Sequence, residues 1–228
     1  MPTTLQLTNK SLDKQTTRFM LGSIVFLTSW SLVSSTLHAG SITATAVTFI
    51  LYPMYWIYTL RTKNQLLLRL LIFSTAAGFL ELFADFYLVE GIDNLVYPQD
   101  KIMLMESPVY MPFAWSNILL QLSFLGLLFS QKFGKVKAAL LLALFGSLYI
   151  PLYEYLAENA GWWVYNDNAI KILNAPLYVI LCEGLIALSL PFLAHWMLNK
   201  SPLHAVGFGI LEGIWIMIGV LVTFAVAG

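Results

Sequence analysis

Residues 96–110 read VYPQDKIMLMESPVY, and residues 164–178 read VYNDNAIKILNAPLY. Superposed at a separation of 68 positions, without a gap, they share Val96/Val164, Tyr97/Tyr165, Ile102/Ile170, Pro108/Pro176 and Tyr110/Tyr178. The same register holds further out, at Gly78/Gly146 and Glu90/Glu158 before the phrase, and at Ile118/Ile186, Phe124/Phe192 and Lys132/Lys200 after it. Each polar phrase lies between two long apolar runs. This pattern reads as a duplicated helix–loop–helix unit, with copies at about residues 69–132 and 137–200. A unit with an even number of spans returns the chain to its starting side, so the two copies are expected to be parallel.

The apolar runs are long and numerous. Of 228 residues, 59% are hydrophobic and 11% charged, against about 25% charged in a soluble domain. Mean hydropathy is +0.76. Seven segments read as spans, at roughly 19–37, 42–60, 69–90, 105–130, 137–157, 172–197 and 205–227. The expected fold is all-α: a polytopic membrane bundle of seven transmembrane helices with an internal parallel two-helix repeat, forming a single transmembrane domain over 1–228. The polar start, through Phe19, lacks the features of a signal peptide.

Basic residues fall in alternate connections: Lys10, Lys14 and Arg18; Arg61, Lys63 and Arg69; Lys132, Lys135 and Lys137; and Lys200. Lys and Arg are retained in the cytoplasm, so the amino terminus is expected inside and the carboxyl terminus on the opposite side. The two phrases then lie outside, with Glu90, Asp93, Asp100, Glu158 and Asp167 against Lys101 and Lys171. A formal charge of zero gives no basic footprint for nucleic acid. Cys182 stands alone, which excludes an internal disulfide and a cysteine metal cluster.

Pro108 and Pro176 are expected in the first turn of a helix, where proline is tolerated. The apolar stretches 102–105 and 170–173 are expected to dip back onto the membrane. Carboxyls inside spans are the sharpest chemical signal, because intramembrane ionisable groups are costly and mark function. Glu81 and Asp85 stand four apart on one helix face, as do Glu154 and Glu158. Glu106 is expected to open the fourth span, Glu183 to lie midway along the sixth, and Glu212 to sit in the seventh. No Lys or Arg lies well inside a span to pair with them. A carboxyl in a low dielectric without a counter-charge favours its protonated form and can then act as a Brønsted acid.

Aromatic residues gather on the same side. Trp162 and Trp163 read as an interfacial belt. Trp115, Tyr110, Tyr153 and Tyr178 read as deeper, with Tyr97 and Tyr165 in the phrases. Aromatic faces stabilise cations by roughly 0.5–2 kcal/mol each. Acids plus aromatic walls suit protonation of an alkene or epoxide and stabilisation of the resulting carbocation. The expected catalytic set is Glu81, Asp85, Glu154, Glu183 and Glu106, and the expected substrate-binding set is Trp115, Tyr110, Tyr153, Tyr178, Tyr97 and Tyr165. No metal or cofactor is expected, because no DDxxD-type cluster, phosphate loop, GxSxG or HExxH is present. The last span has no lysine for a retinal Schiff base.

Two phrases with aromatic–Tyr, a polar turn, Ile and then Pro resemble the small membrane carotenoid enzymes, namely the two-subunit or fused lycopene cyclases and the carotenoid hydratases. Pro108 and Pro176 match their prolines; Tyr110 and Tyr178 stand where those cyclases carry acids. Size, span number and buried acids are similar to the membrane-bound meroterpenoid cyclases, and PLY at 176–178 resembles sterol isomerases of the emopamil-binding type. The resemblance covers about residues 70–197 and implies acid-initiated chemistry on a lipophilic isoprenoid substrate within the lipid bilayer. A small proton-coupled transporter, a sterol-isomerase or hydratase-type enzyme, and a non-catalytic lipid-binding factor are the alternatives.

Overall fold

The computed structural model describes residues 12–99 and 102–228. Lys10, Asp100, Lys101 and most of the polar start lie outside the described residues. Among the described residues seven α-helices form: α1 (Lys14–Thr36), α2 (Ile42–Thr62), α3 (Gln65–Phe86), α4 (Met111–Phe133), α5 (Lys135–Asn159), α6 (Leu177–Met197) and α7 (Pro202–Ala227). Starts are set by local chemistry. The Asp13 side chain accepts from Thr16 N at 2.7 Å. Asn64 Oδ1 accepts from Leu66 N and Leu67 N, both at 3.1 Å. Proline occupies the first turn of α4 and of α7.

Six of the seven are long and apolar enough to cross a membrane; α2 is not among them. Its threonines (Thr43, Thr45, Thr48, Thr59 and Thr62) and tyrosines (Tyr52, Tyr55 and Tyr58) dilute an otherwise suitable length. The exterior is apolar, with Val25, Leu60, Leu140, Leu148 and Val226 all exposed. A hydrophobic exterior over long helices has the make-up of a multi-pass membrane protein.

Helices α3 to α7 pack in cyclic order, α7 closing against α3, while α1 lies on α5 and α2 on α4 and α3. Small residues set the closest approaches. A Cβ on Gly209 would stand 2.4 Å from Phe73 O, and one on Gly213 would stand 2.4 Å from Leu80 Cβ, so α7 lies directly on α3.

One end of the bundle is elaborated. After α3 a π-helical turn, Tyr87–Gly91, leads into β1 (Leu95–Val96), β2 (Met103–Leu104) and β3 (Ser107–Pro108). The second connection gives β4 (Val164–Tyr165), β5 (Lys171–Ile172) and β6 (Ala175–Pro176). β2–β3 and β5–β6 are antiparallel hairpins with two-residue turns. Val109 N donates to Ile102 O at 2.9 Å, and Leu177 N donates to Ile170 O at 2.7 Å. β1 pairs antiparallel with β4, placing Val96 opposite Val164.

The hairpins correct two expectations. Pro108 and Pro176 lie in strands, opposite Met103 and Lys171, where the missing N–H leaves no gap in the ladder. Helices therefore begin at Met111 and Leu177, later than the expected 105 and 172. Glu106 does not open a helix; it lies at the exposed hairpin tip with φ 64°. Met105 and Glu106 both have positive φ, the pattern of a type I′ turn.

Candidate functional site

Beside these hairpins a cavity of about 180 Å³ lies among α1, α3, α4, α5, α6 and α7. This exceeds the ~150 Å³ apolar cavity that accepts benzene. Its wall is mostly apolar, with the polar groups concentrated near the hairpin end. The geometry follows from helix direction: Glu81, Asp85 and Glu154 sit in the last turns of α3 and α5, while Trp115 and Glu183 sit in the first turns of α4 and α6. Antiparallel neighbours bring all five into the half of the bundle nearest the hairpins.

Glu81, Asp85, Glu154, Glu183, Trp115, Tyr153, Tyr97 and Tyr165 all line the cavity. Asp85 Oδ2 accepts from Tyr97 Oη at 2.6 Å and from Ser107 Oγ at 2.9 Å. Glu81, one turn earlier on the same face of α3, is a second buried carboxyl in the wall. Trp163 Nε1 donates to Glu154 Oε2 at 2.5 Å. Burial, followed by the nearby Asp85 and Glu81, holds the Tyr97 phenol well above its usual range. Burial and then Glu154 do the same for Tyr165. Both phenols therefore remain hydrogen-bond donors.

The other expected residues lie elsewhere. Glu106 is exposed and outside the lining. Tyr110 faces a smaller adjoining pocket of about 30 Å³ beside Asn117. Tyr178 Oη donates to Asn94 Oδ1 at 2.5 Å and packs edge-on to Phe224, 5.3 Å between centroids. It ties the start of α6 to the opposite loop and does not line the cavity. The expected belt residues turn inward: Trp163 serves Glu154, and buried Trp162 donates from Nε1 to Thr43 Oγ1 at 2.8 Å. The 166–168 NDN stretch is a staple, with Asn166 Nδ2 on Asp93 O at 2.8 Å and Asn168 bonded to Asn94. Glu158 is exposed, and Glu212 lies outside the lining against Ser189 Oγ, at 2.8 Å and 2.9 Å.

Phe145, Met111 and Gln121 also form the wall without standing out in the sequence, and Tyr149, one of the aromatic residues on that side, joins the expected binding set there. A signal for several existed in the 68-residue register. Glu81/Tyr149, Asp85/Tyr153, Trp115/Glu183, Tyr97/Tyr165, Met111/Val179, Ala114/Cys182 and Ile118/Ile186 all line the cavity. At three of these pairs, one position holds an acid and the other an aromatic ring.

An all-helical bundle with these apolar spans and an acid-lined cavity among its helices has the make-up of a multi-pass membrane protein with a candidate site inside the bundle. The chain belongs to the family described as a domain of unknown function (DUF6989), which matches it over residues 82–227. The match takes in Asp85, Trp115, Glu154 and Glu183 and begins one residue after Glu81. No curated protein and no solved structure matches the chain.

Proposed function

We propose that this protein is a metal-independent integral-membrane isoprenoid cyclase or isomerase. The reading rests on one observation: four carboxyls and seven aromatic side chains (Trp115, Tyr149, Tyr153, Tyr97, Tyr165, Phe145 and Trp163) converge on one apolar cavity. The Glu81–Asp85 pair gives its proton to an alkene carbon or epoxide oxygen of the substrate. The π electrons, or the electrons of the broken C–O bond, close that step and leave a carbocation. Trp115, Tyr149 and Tyr153 face the cation, and a neighbouring alkene attacks it or the charge migrates. Loss of a proton to Glu154 or Glu183 regenerates a double bond, so proton uptake and release balance without a co-reactant.

In this reading all seven helices cross the bilayer, the amino terminus is cytoplasmic, and α3–α4 and α5–α6 are copies of one unit. Three features support duplication: matching hairpins, Val96 opposite Val164 as expected near a local two-fold axis, and the paired lining positions. The test is expression with polyprenyl, epoxyprenyl and carotenoid substrates, followed by mass spectrometry of the lipid extract. Glu81→Gln and Glu183→Gln are expected to abolish product while the purified protein keeps its helical content. Full product from both variants refutes the assignment.

A further inference from the structure

The cavity has a second polar feature, remote from the acids. Gln121 on α4 lines its deeper part and is buried. Gln121 Nε2 donates to Tyr55 Oη at 2.8 Å, Tyr55 Oη donates to Ser23 Oγ at 2.8 Å, and Ser23 Oγ donates to Met20 O at 2.7 Å. The direction of this chain is fixed at its far end. A backbone carbonyl can only accept, so Ser23 spends its proton on Met20. Tyr55 must then donate to Ser23, and its oxygen is left to accept from Gln121. Only the NH₂ side of the amide can make that bond, which removes the usual ambiguity between the two ends of a glutamine.

The consequence falls on the opposite side of the amide. Gln121 Oε1 has no protein donor among the described residues, and it is not one of the fully enclosed unpartnered atoms. It therefore presents a bare acceptor to the cavity. Gly78 lies against Ser116. From that level Gln121 is five residues down α4, and Glu81 is three residues up the antiparallel α3. At 1.5 Å per residue Gln121 and Glu81, the nearer acid of the pair, are about 12 Å apart along the bundle. The wall between them includes Ile118 and Ile186.

We infer that Gln121 selects a ligand carrying a hydrogen-bond donor at its end, an isoprenoid alcohol, with the hydroxyl on Gln121 Oε1 and the reacting double bond about 12 Å away at the acids. This names the substrate class and rests on the reading that the cavity takes an isoprenoid. An ether or hydrocarbon of the same shape leaves the acceptor unpaired, and a site built to bond a hydroxyl discriminates against such analogues.

The test is equilibrium binding to the purified full chain in lipid nanodiscs, read by fluorescence of the cavity tryptophans, with farnesol and farnesyl methyl ether as probes. Farnesol is expected to bind about three- to tenfold more tightly, the range for one net hydrogen bond. Gln121→Leu is expected to bring the ratio to about one. Ser23→Ala frees the Tyr55 proton to turn toward Gln121, which reverses the amide and lowers the ratio to one or below, although Ser23 does not line the cavity. Equal binding of the two probes by the unaltered protein overturns this inference alone, as does a preference that survives Gln121→Leu. Binding of neither probe overturns the isoprenoid reading and this inference with it.

Discussion

Replacing Gly78 by alanine would put a methyl carbon 2.3 Å from Pro112 O, 2.9 Å from Ser116 Oγ and 3.0 Å from Ser116 N. Two of these are backbone atoms of α4, so no side chain can swing aside to relieve the worst contact. Ordinary contact for a Cβ begins near 3.4 Å, so α3 and α4 must part by about 1 Å in a close-packed interior. Overpacking of this kind costs about 1–3 kcal/mol, and a clash with backbone belongs at the upper end. Alanine returns about 1 kcal/mol in helix propensity. The net expectation is a loss of about 2 kcal/mol, or a fall of roughly 4–8 °C in the midpoint of thermal unfolding for a chain of this size. Gly22 on α1 is the control, because nothing lies within 4 Å of its Cβ position. Gly22→Ala is expected to leave the midpoint unchanged or raise it by a few degrees. Both variants are compared by circular dichroism in the same detergent at one heating rate. Because Gly78 lies one turn below Glu81, product formation in the proposed reaction is also expected to fall for Gly78→Ala. Equal midpoints for the two variants would refute the packing argument.

Glu106 holds φ 64° at an exposed hairpin tip. Glu106→Gly relieves this left-handed strain and is expected to stabilise by up to about 1 kcal/mol, measured as a raised unfolding midpoint; a lowered midpoint would show that Glu106 makes a contact of value there. The raised pKa values of Tyr97 and Tyr165 predict alkaline sensitivity. Above about pH 10 the unfolded phenols lose protons that the folded ones keep, so stability present below that pH declines as pH rises. The fall between pH 9 and 11 is expected to be shallower in a Tyr97→Phe/Tyr165→Phe double variant, and identical slopes would exclude these phenols as the cause.

Much of the helical architecture was legible from composition, because long apolar runs have few other stable forms in a bilayer. The acids were legible for a related reason: Glu81, Asp85, Glu154 and Glu183 stand out among apolar neighbours, and all four line one cavity. The hairpins were less legible. Stretches 102–110 and 170–177 are short and apolar, and periodicity alone does not separate such runs from helix starts. Glu106 and Tyr178 were misplaced as a result, since each takes its direction from the hairpin beside it. α2 shows the limit of counting, because it forms a full-length helix whose threonines and tyrosines hold it apart from the other six.

By itself the sequence determined the helical bundle, the acids within it and the 68-residue register, because these depend on hydropathy and spacing along one chain. Tertiary structure decided which of two helical faces meets the cavity and which aromatic rings serve as struts. It also decided the direction of the Gln121 amide, which follows from a chain of hydrogen bonds running through α4, α2 and α1 to the Met20 carbonyl. No local pattern encodes that chain, since Ser23, Tyr55 and Gln121 become neighbours only when three helices pack.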